Sequence, residues 1–143
     1  MDNPIVINLS AGTYDVEVIS MSEGGAFDAW SPWNNTTCPD ECGLNSGHTG
    51  WVNNYTIGSV ELGATTYTSG LRYSTAAGAN ATAIDSSFTL SYAQNVEFYI
   101  DDTPISDNAG GISLNVTAVP ELMTVAMLGI GLALLGLRRR SEA

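Results

Sequence analysis

Three groups of residues have the types and spacing to do chemistry. The densest is the run Asp101-Asp102-Thr103-Pro104-Ile105-Ser106-Asp107-Asn108-Ala109-Gly110-Gly111. Calcium is held by six to eight oxygens drawn from carboxylates, amide oxygens and backbone carbonyls. This run offers all three, in the carboxylates of Asp101, Asp102 and Asp107, the Asn108 amide and the Ile105 carbonyl. Gly110 and Gly111 would let the chain curl closely, and Pro104 would stiffen the approach. The same residue types also favour ordinary turns, so a hairpin loop without an ion is the competing reading.

The second group is Cys38, Cys42 and His48. A lone C-x₃-C with one histidine lacks the second ligand pair of a zinc site, whereas two cysteines would form one local disulfide if the chain is exported. The third is Trp30 and Trp33, three residues apart, which would serve either as a sugar-stacking platform or as a small core for their own loop. Catalysis is not expected. His48 is the single histidine, and no nucleophile motif or phosphate loop is present. Asp101 and Asp102, if on a strand, point to opposite faces, whereas a glycosidase needs two carboxyls converging on one bond.

Charge narrows the partners further. Residues 1–119 carry thirteen carboxylates against one base, Arg72, and no lysine. Such a surface repels phosphate backbones, which excludes nucleic acid, and attracts divalent cations. Abundant Gly, Ser, Thr and Asn beside aromatic and β-branched residues indicates a secreted all-β domain rather than disorder.

The elements that must position these groups are short strands. Tyr14, Val16 and Val18 alternate with Asp15 and Glu17, the period-2 signature of a sheet with one wet face. Ile5–Leu9 before them predicts a partner strand in an antiparallel hairpin turned at Ser10–Gly12. Residues 21–50 show neither periodicity, which makes them a long loop pinned by the cysteines. Further strands are expected over 50–57, 59–62, 65–73, 87–92, 95–100 and 111–116, with a small-residue turn or loop at 76–80. Seven or eight short strands predict an antiparallel β-sandwich of jelly-roll type over residues 1–118.

Beyond residue 118 the pattern changes. Val119-Pro120-Glu121 is followed by sixteen uncharged residues, Leu122 to Leu137, and then by Arg138-Arg139-Arg140. As a helix this run spans about 24 Å, short of the about 30 Å hydrocarbon core. Its flanks favour the membrane nonetheless: Pro120 and Glu121 suit a helix start, and the arginines suit a cytoplasmic headgroup edge. One C-terminal transmembrane helix is expected over 122–137, with residues 1–118 on the far side of the membrane.

The same order, Val119-Pro120-Glu121, a core containing Gly129-Ile130-Gly131-Leu132, and Arg138-Arg139-Arg140, resembles the PEP-CTERM sorting signal. That resemblance covers residues 119–143. It implies recognition by an exosortase, a membrane transpeptidase-like enzyme of exopolysaccharide-producing Gram-negative bacteria, with cleavage near the proline-glutamate motif. The motif's second proline is Leu122 here, a departure that bears on cleavage more than on membrane insertion. The implied destination is the inner membrane, then the cell surface or extracellular matrix. An export signal should accompany such a tail. Met1-Asp2-Asn3-Pro4 carries neither a basic region nor an apolar run, so the chain is expected to start late.

A second resemblance falls on Asp107-Asn108-Ala109-Gly110-Gly111-Ile112-Ser113-Leu114-Asn115-Val116, which is similar to the end of the small calcium-dependent, galactose-binding lectins of PA-IL type. It implies a jelly-roll whose calcium is held by Asp101 or Asp102, by Asp107 in place of an amide, and by Asn108. A carbonyl from Phe27 or Asp28 in the tryptophan loop would complete the set. The loop is shorter than the lectins' by two residues. Two roles for the exported domain follow as expectations: a structural component of a surface or matrix, or a calcium-dependent, polysaccharide-binding module.

Overall fold

The computed structural model describes residues 2–34, 37–39, 41–44, 47–102 and 105–120. Antiparallel β-structure dominates them. In chain order the strands are β1 (Asp2–Leu9), β2 (Gly12–Val18), β3 (Trp30–Ser31), β4 (Cys42–Gly43), β5 (Asn54–Ser59), β6 (Gly63–Thr68), β7 (Leu71–Arg72), β8 (Ser86–Leu90), β9 (Gln94–Ile100), β10 (Ala109–Gly110) and β11 (Leu114–Val119). One sheet has the order β1-β9-β5-β6 and a second the order β11-β2-β8; β10-β3 and β4-β7 form short ladders.

The alternation along each strand decides which side faces in. In β2, Tyr14, Val16 and Val18 are buried while Asp15 and Glu17 are exposed; in β8, Phe88 and Leu90 are buried while Ser87 and Thr89 are exposed. These five apolar side chains meet Tyr55, Ile57, Val96 and Phe98 of the other sheet in a single core. The two sheets therefore lie face to face in a β-sandwich-like arrangement. Phe88 links the layers, with its ring centroid 5.4 Å from Tyr14 and 6.4 Å from Phe98. Glu61, at the turn after β5, accepts hydrogen bonds from the Ser91 amide at 3.1 Å, from the Ser91 hydroxyl, and from Gln94 Nε2 at 2.7 Å, pinning two turns together.

Several expectations are corrected. β1 and β2 do not form a hairpin: β1 pairs with β9 and β2 with β8 and β11, so the chain crosses between sheets at Ser10–Ala11. A period-2 pattern states which face a strand buries, but its partners are chosen by long-range packing. Likewise residues 101–111 join β9 in one sheet to β11 in the other rather than closing a hairpin. The strand expected at 59–62 is a turn, in which Ser59 Oγ accepts from the Leu62 amide at 3.0 Å and Val60 is 91% exposed. Residues 76–80 form a five-residue helix, α1 (Ala76–Asn80), because Thr75 Oγ1 caps it by accepting from the Gly78 amide at 3.1 Å. The strand expected over 65–73 breaks at Gly70, whose φ of 74° ends β6 before β7.

At the far end, β11 runs through Val119, opposite Thr13, so the last strand takes in the first residue of the tail motif. Pro120, lacking an amide proton, ends the ladder. The apolar run 122–137 and Arg138–Arg140 lie outside the described residues. Among the described residues no helix is long and apolar enough to cross a membrane.

Candidate functional site

At one end of the sandwich the long loop after β2 folds against the segment between β9 and β11. Trp30 stands at the centre. Its backbone exchanges hydrogen bonds with Val52 at 3.1 and 2.8 Å on one side and pairs with Gly110 on the other. Gly111 adds a 3.2 Å hydrogen bond from its amide to the Ala29 carbonyl. Ala109–Gly111 and the tryptophan loop, expected to be tied through a calcium ion, are thus joined by backbone pairing.

The two tryptophans separate in role. Trp30 is buried, and its indole Nε1 donates to Asn54 Oδ1 at 2.7 Å and to the Asn54 carbonyl at 3.2 Å, so it offers no open face to a sugar. Trp33 is 52% exposed and sits at φ 73°, a conformation costly for a residue with a side chain. The Arg72 guanidinium lies 6.0 Å from the centre of its ring. Burial lowers the Arg72 pKa, an effect partly offset by the carboxylate of Asp102 nearby. Sequence spacing could not distinguish the tryptophans, since burial depends on Val52 and Asn54 from another part of the chain.

Cys38 and Cys42 form a disulfide, with Cα atoms 5.9 Å apart. That removes both sulfurs from metal ligation. His48 is exposed and places Nδ1 3.4 Å from Thr37 Oγ1. The bridge fixes the stretch whose Cys42 pairs with Arg72, so it supports the base beneath Trp33.

The calcium reading meets a mixed donor set. Asp107 Oδ1, at the end of the single turn Ile105–Asp107, and Asn108 Oδ1 are both shielded from solvent with no hydrogen-bond donor. Buried acceptors without a donor are costly, and a cation would relieve both. Asp101 is exposed, while Asp102 is directed electrostatically at Arg72. The Phe27 carbonyl already accepts from the Ser113 hydroxyl at 3.0 Å, and the Asp28 carbonyl accepts from Asn53 Nδ2 at 2.8 Å. Phe27 instead meets the loop through its ring, against Gly111. Among the described residues no three His, Cys, Asp or Glu side chains converge. Asp107 Oδ1 and Asn108 Oδ1 are the open acceptors of the expected set; the two carbonyls expected from the tryptophan loop have other partners.

Beside this segment runs an apolar groove of about 520 Å³, lined by Ile5, Ile7, Phe27, Ile112, Leu114 and Val116 among others. It follows the open flank of the sandwich, between the outer strands β1 and β11. Phe27, Asn108, Gly110 and Gly111 among its lining were singled out in the sequence; the others were read only as strand residues, because the groove exists where two sheet edges fail to cover each other. No family model, curated protein or solved structure matches the chain.

Proposed function

We propose that this chain is an exported, non-catalytic surface or extracellular-matrix protein whose jelly-roll-type domain is tethered by its C-terminal segment and sorted by an exosortase. The observation that carries this reading is the tripartite order of residues 119–143: Val119-Pro120-Glu121, the uncharged run 122–137, and Arg138-Arg139-Arg140. An all-β acidic domain with a disulfide suits an oxidising compartment and supports the same reading. Because β11 runs to Val119, the domain would stand directly on the membrane with almost no spacer. Mass spectrometry of the mature protein tests it. A C-terminus ending near Glu121 is expected, whereas an intact Arg138–Ala143 end in the cell-surface fraction would refute processing and leave simple tail anchoring.

A second reading, a calcium-dependent carbohydrate-binding module, is favoured by a specific observation: two shielded, donorless acceptors on Asp107 and Asn108 lie in the segment packed against the loop that presents Trp33. In it Asp107 and Asn108 hold the ion and Trp33 stacks on a sugar ring. A polysaccharide array probed with and without chelator separates the two readings, since a structural component binds nothing in either condition.

A further inference from the structure

We propose that β1 is a self-association edge, through which two copies of this chain pair antiparallel to make one continuous eight-stranded sheet. This goes beyond the sorting and ligand readings and depends on neither.

The observation begins with an edge that is unprotected. Among the described residues β1 pairs with β9 alone, so its other side presents unpaired backbone amides and carbonyls. Proteins usually blunt such edges with charge, proline or a bulge. Here the irregularity between Asp2 and Ile5, with Pro4, blunts only the start. From Ile5 to Leu9 the strand is uncharged, and Ile5, Val6 and Ile7 are 68%, 50% and 38% exposed. The opposite edge of the same sheet, β6, is instead rich in threonine, Thr65, Thr66 and Thr68.

Two features select a second copy as the occupant. The first is register. Antiparallel pairing about Ile7 sets Ile7 against Ile7 of the other copy and Ile5 against Leu9. These residues all lie on the inner face, opposite Val96, Phe98 and Gln94 of β9. The two grooves lined by Ile5, Ile7, Leu114 and Val116 would then run together beneath one sheet. The second is charge. This is an acidic molecule, and its copies can touch only where carboxylates do not face each other. Apart from Asp2 at its start, which pairing about Ile7 carries past the end of the other copy's strand, β1 bears no carboxylate, and the next in the sheet is Glu97, opposite Val6. In the paired sheet the Glu97 strands of the two copies stand three strand spacings apart, about 14 Å, beyond the about 8 Å screening length of physiological salt.

The test uses the full chain in detergent micelles. Both native cysteines are paired and no free cysteine remains among the described residues, so an introduced thiol reports on its own position. Ile7→Cys is expected to form a disulfide-linked dimer on oxidation. Ile5→Cys and Leu9→Cys should link poorly alone and efficiently when mixed, and Thr66→Cys on the far edge should not link. Sedimentation should show a concentration-dependent dimer weakened at least tenfold by Ile7→Lys, which sets two lysines against each other on the inner face, with Ile5→Lys at a more exposed position as a second variant should the first fail to fold. A chain that stays monomeric at every concentration, a dimer indifferent to both lysines, or equal linkage at Ile7→Cys and Thr66→Cys would each overturn the proposal.

Discussion

Gly110 pairs with Trp30 so closely that a Cβ on Gly110 would collide with the Ala29 carbonyl oxygen and crowd Trp51 Cζ3 at 3.0 Å. Gly110 also has φ 80°, which L side chains rarely adopt. Gly110→Ala should therefore destabilise the protein by about 1–3 kcal/mol and weaken the contact between the two loops. Thermal denaturation followed by near-ultraviolet circular dichroism, which reports the nearby tryptophans, checks it. An unchanged melting temperature would remove the pairing from any role in stability.

Calcium should raise the melting temperature through Asp107 and Asn108, by the equivalent of about 2.7 kcal/mol at a hundredfold excess over its dissociation constant. Asp107→Ala should abolish the dependence, and the exposed outer-face control Asp15→Ala should leave it intact. Identical melting in calcium and in EDTA means that Asp101–Gly111 is an ordinary connection.

The tryptophans should respond differently to truncation. Trp30→Ala removes a buried ring and its hydrogen bonds to Asn54, and should cost about 3–5 kcal/mol. Trp33→Ala removes an exposed ring and should leave unfolding by denaturant nearly unchanged while eliminating any saccharide binding. Equal losses of stability would contradict the placement of the two side chains.

Acid sensitivity should trace partly to Glu61. The hydrogen bond from the Ser91 side chain holds its carboxyl below the ordinary glutamate value, outweighing the opposing effect of desolvation, and weaker bonds from the Ser91 amide and Gln94 act in the same direction as Ser91. A depressed folded pKa contributes stability that is present above the unfolded value of about 4.3 and is lost as pH falls through the lower folded value. Glu61→Gln should flatten that part of the stability–pH curve and leave the plateau above pH 6 parallel to wild type. Denaturation midpoints measured from pH 7 down to pH 3 provide the comparison.

Reduction of the Cys38–Cys42 bridge should destabilise the protein by about 2 kcal/mol, the chain-entropy value for so short a loop. Thiol labelling of the denatured, exported protein should find no reactive sulfur until reductant is added. Full labelling without reductant would count against the oxidising compartment.

Much of the strand content was legible in the residues themselves. Tyr14, Val16 and Val18, or Phe88 and Leu90, declare a strand and its buried face because side chains alternate every residue whatever the partner. The cysteine pairing was legible because four residues of separation lets two sulfurs meet locally. Tertiary structure alone decided the partners. β1 left β2 for β9, and the chain between β9 and β11 became a crossover, since pairing is set by contacts between residues tens of positions apart. The same long-range packing buried Trp30 against Val52 and Asn54, left Trp33 over Arg72, engaged the Phe27 carbonyl with Ser113, and opened the groove between β1 and β11. Local pattern states what a residue prefers to face; only the assembled sheets determine what stands opposite it.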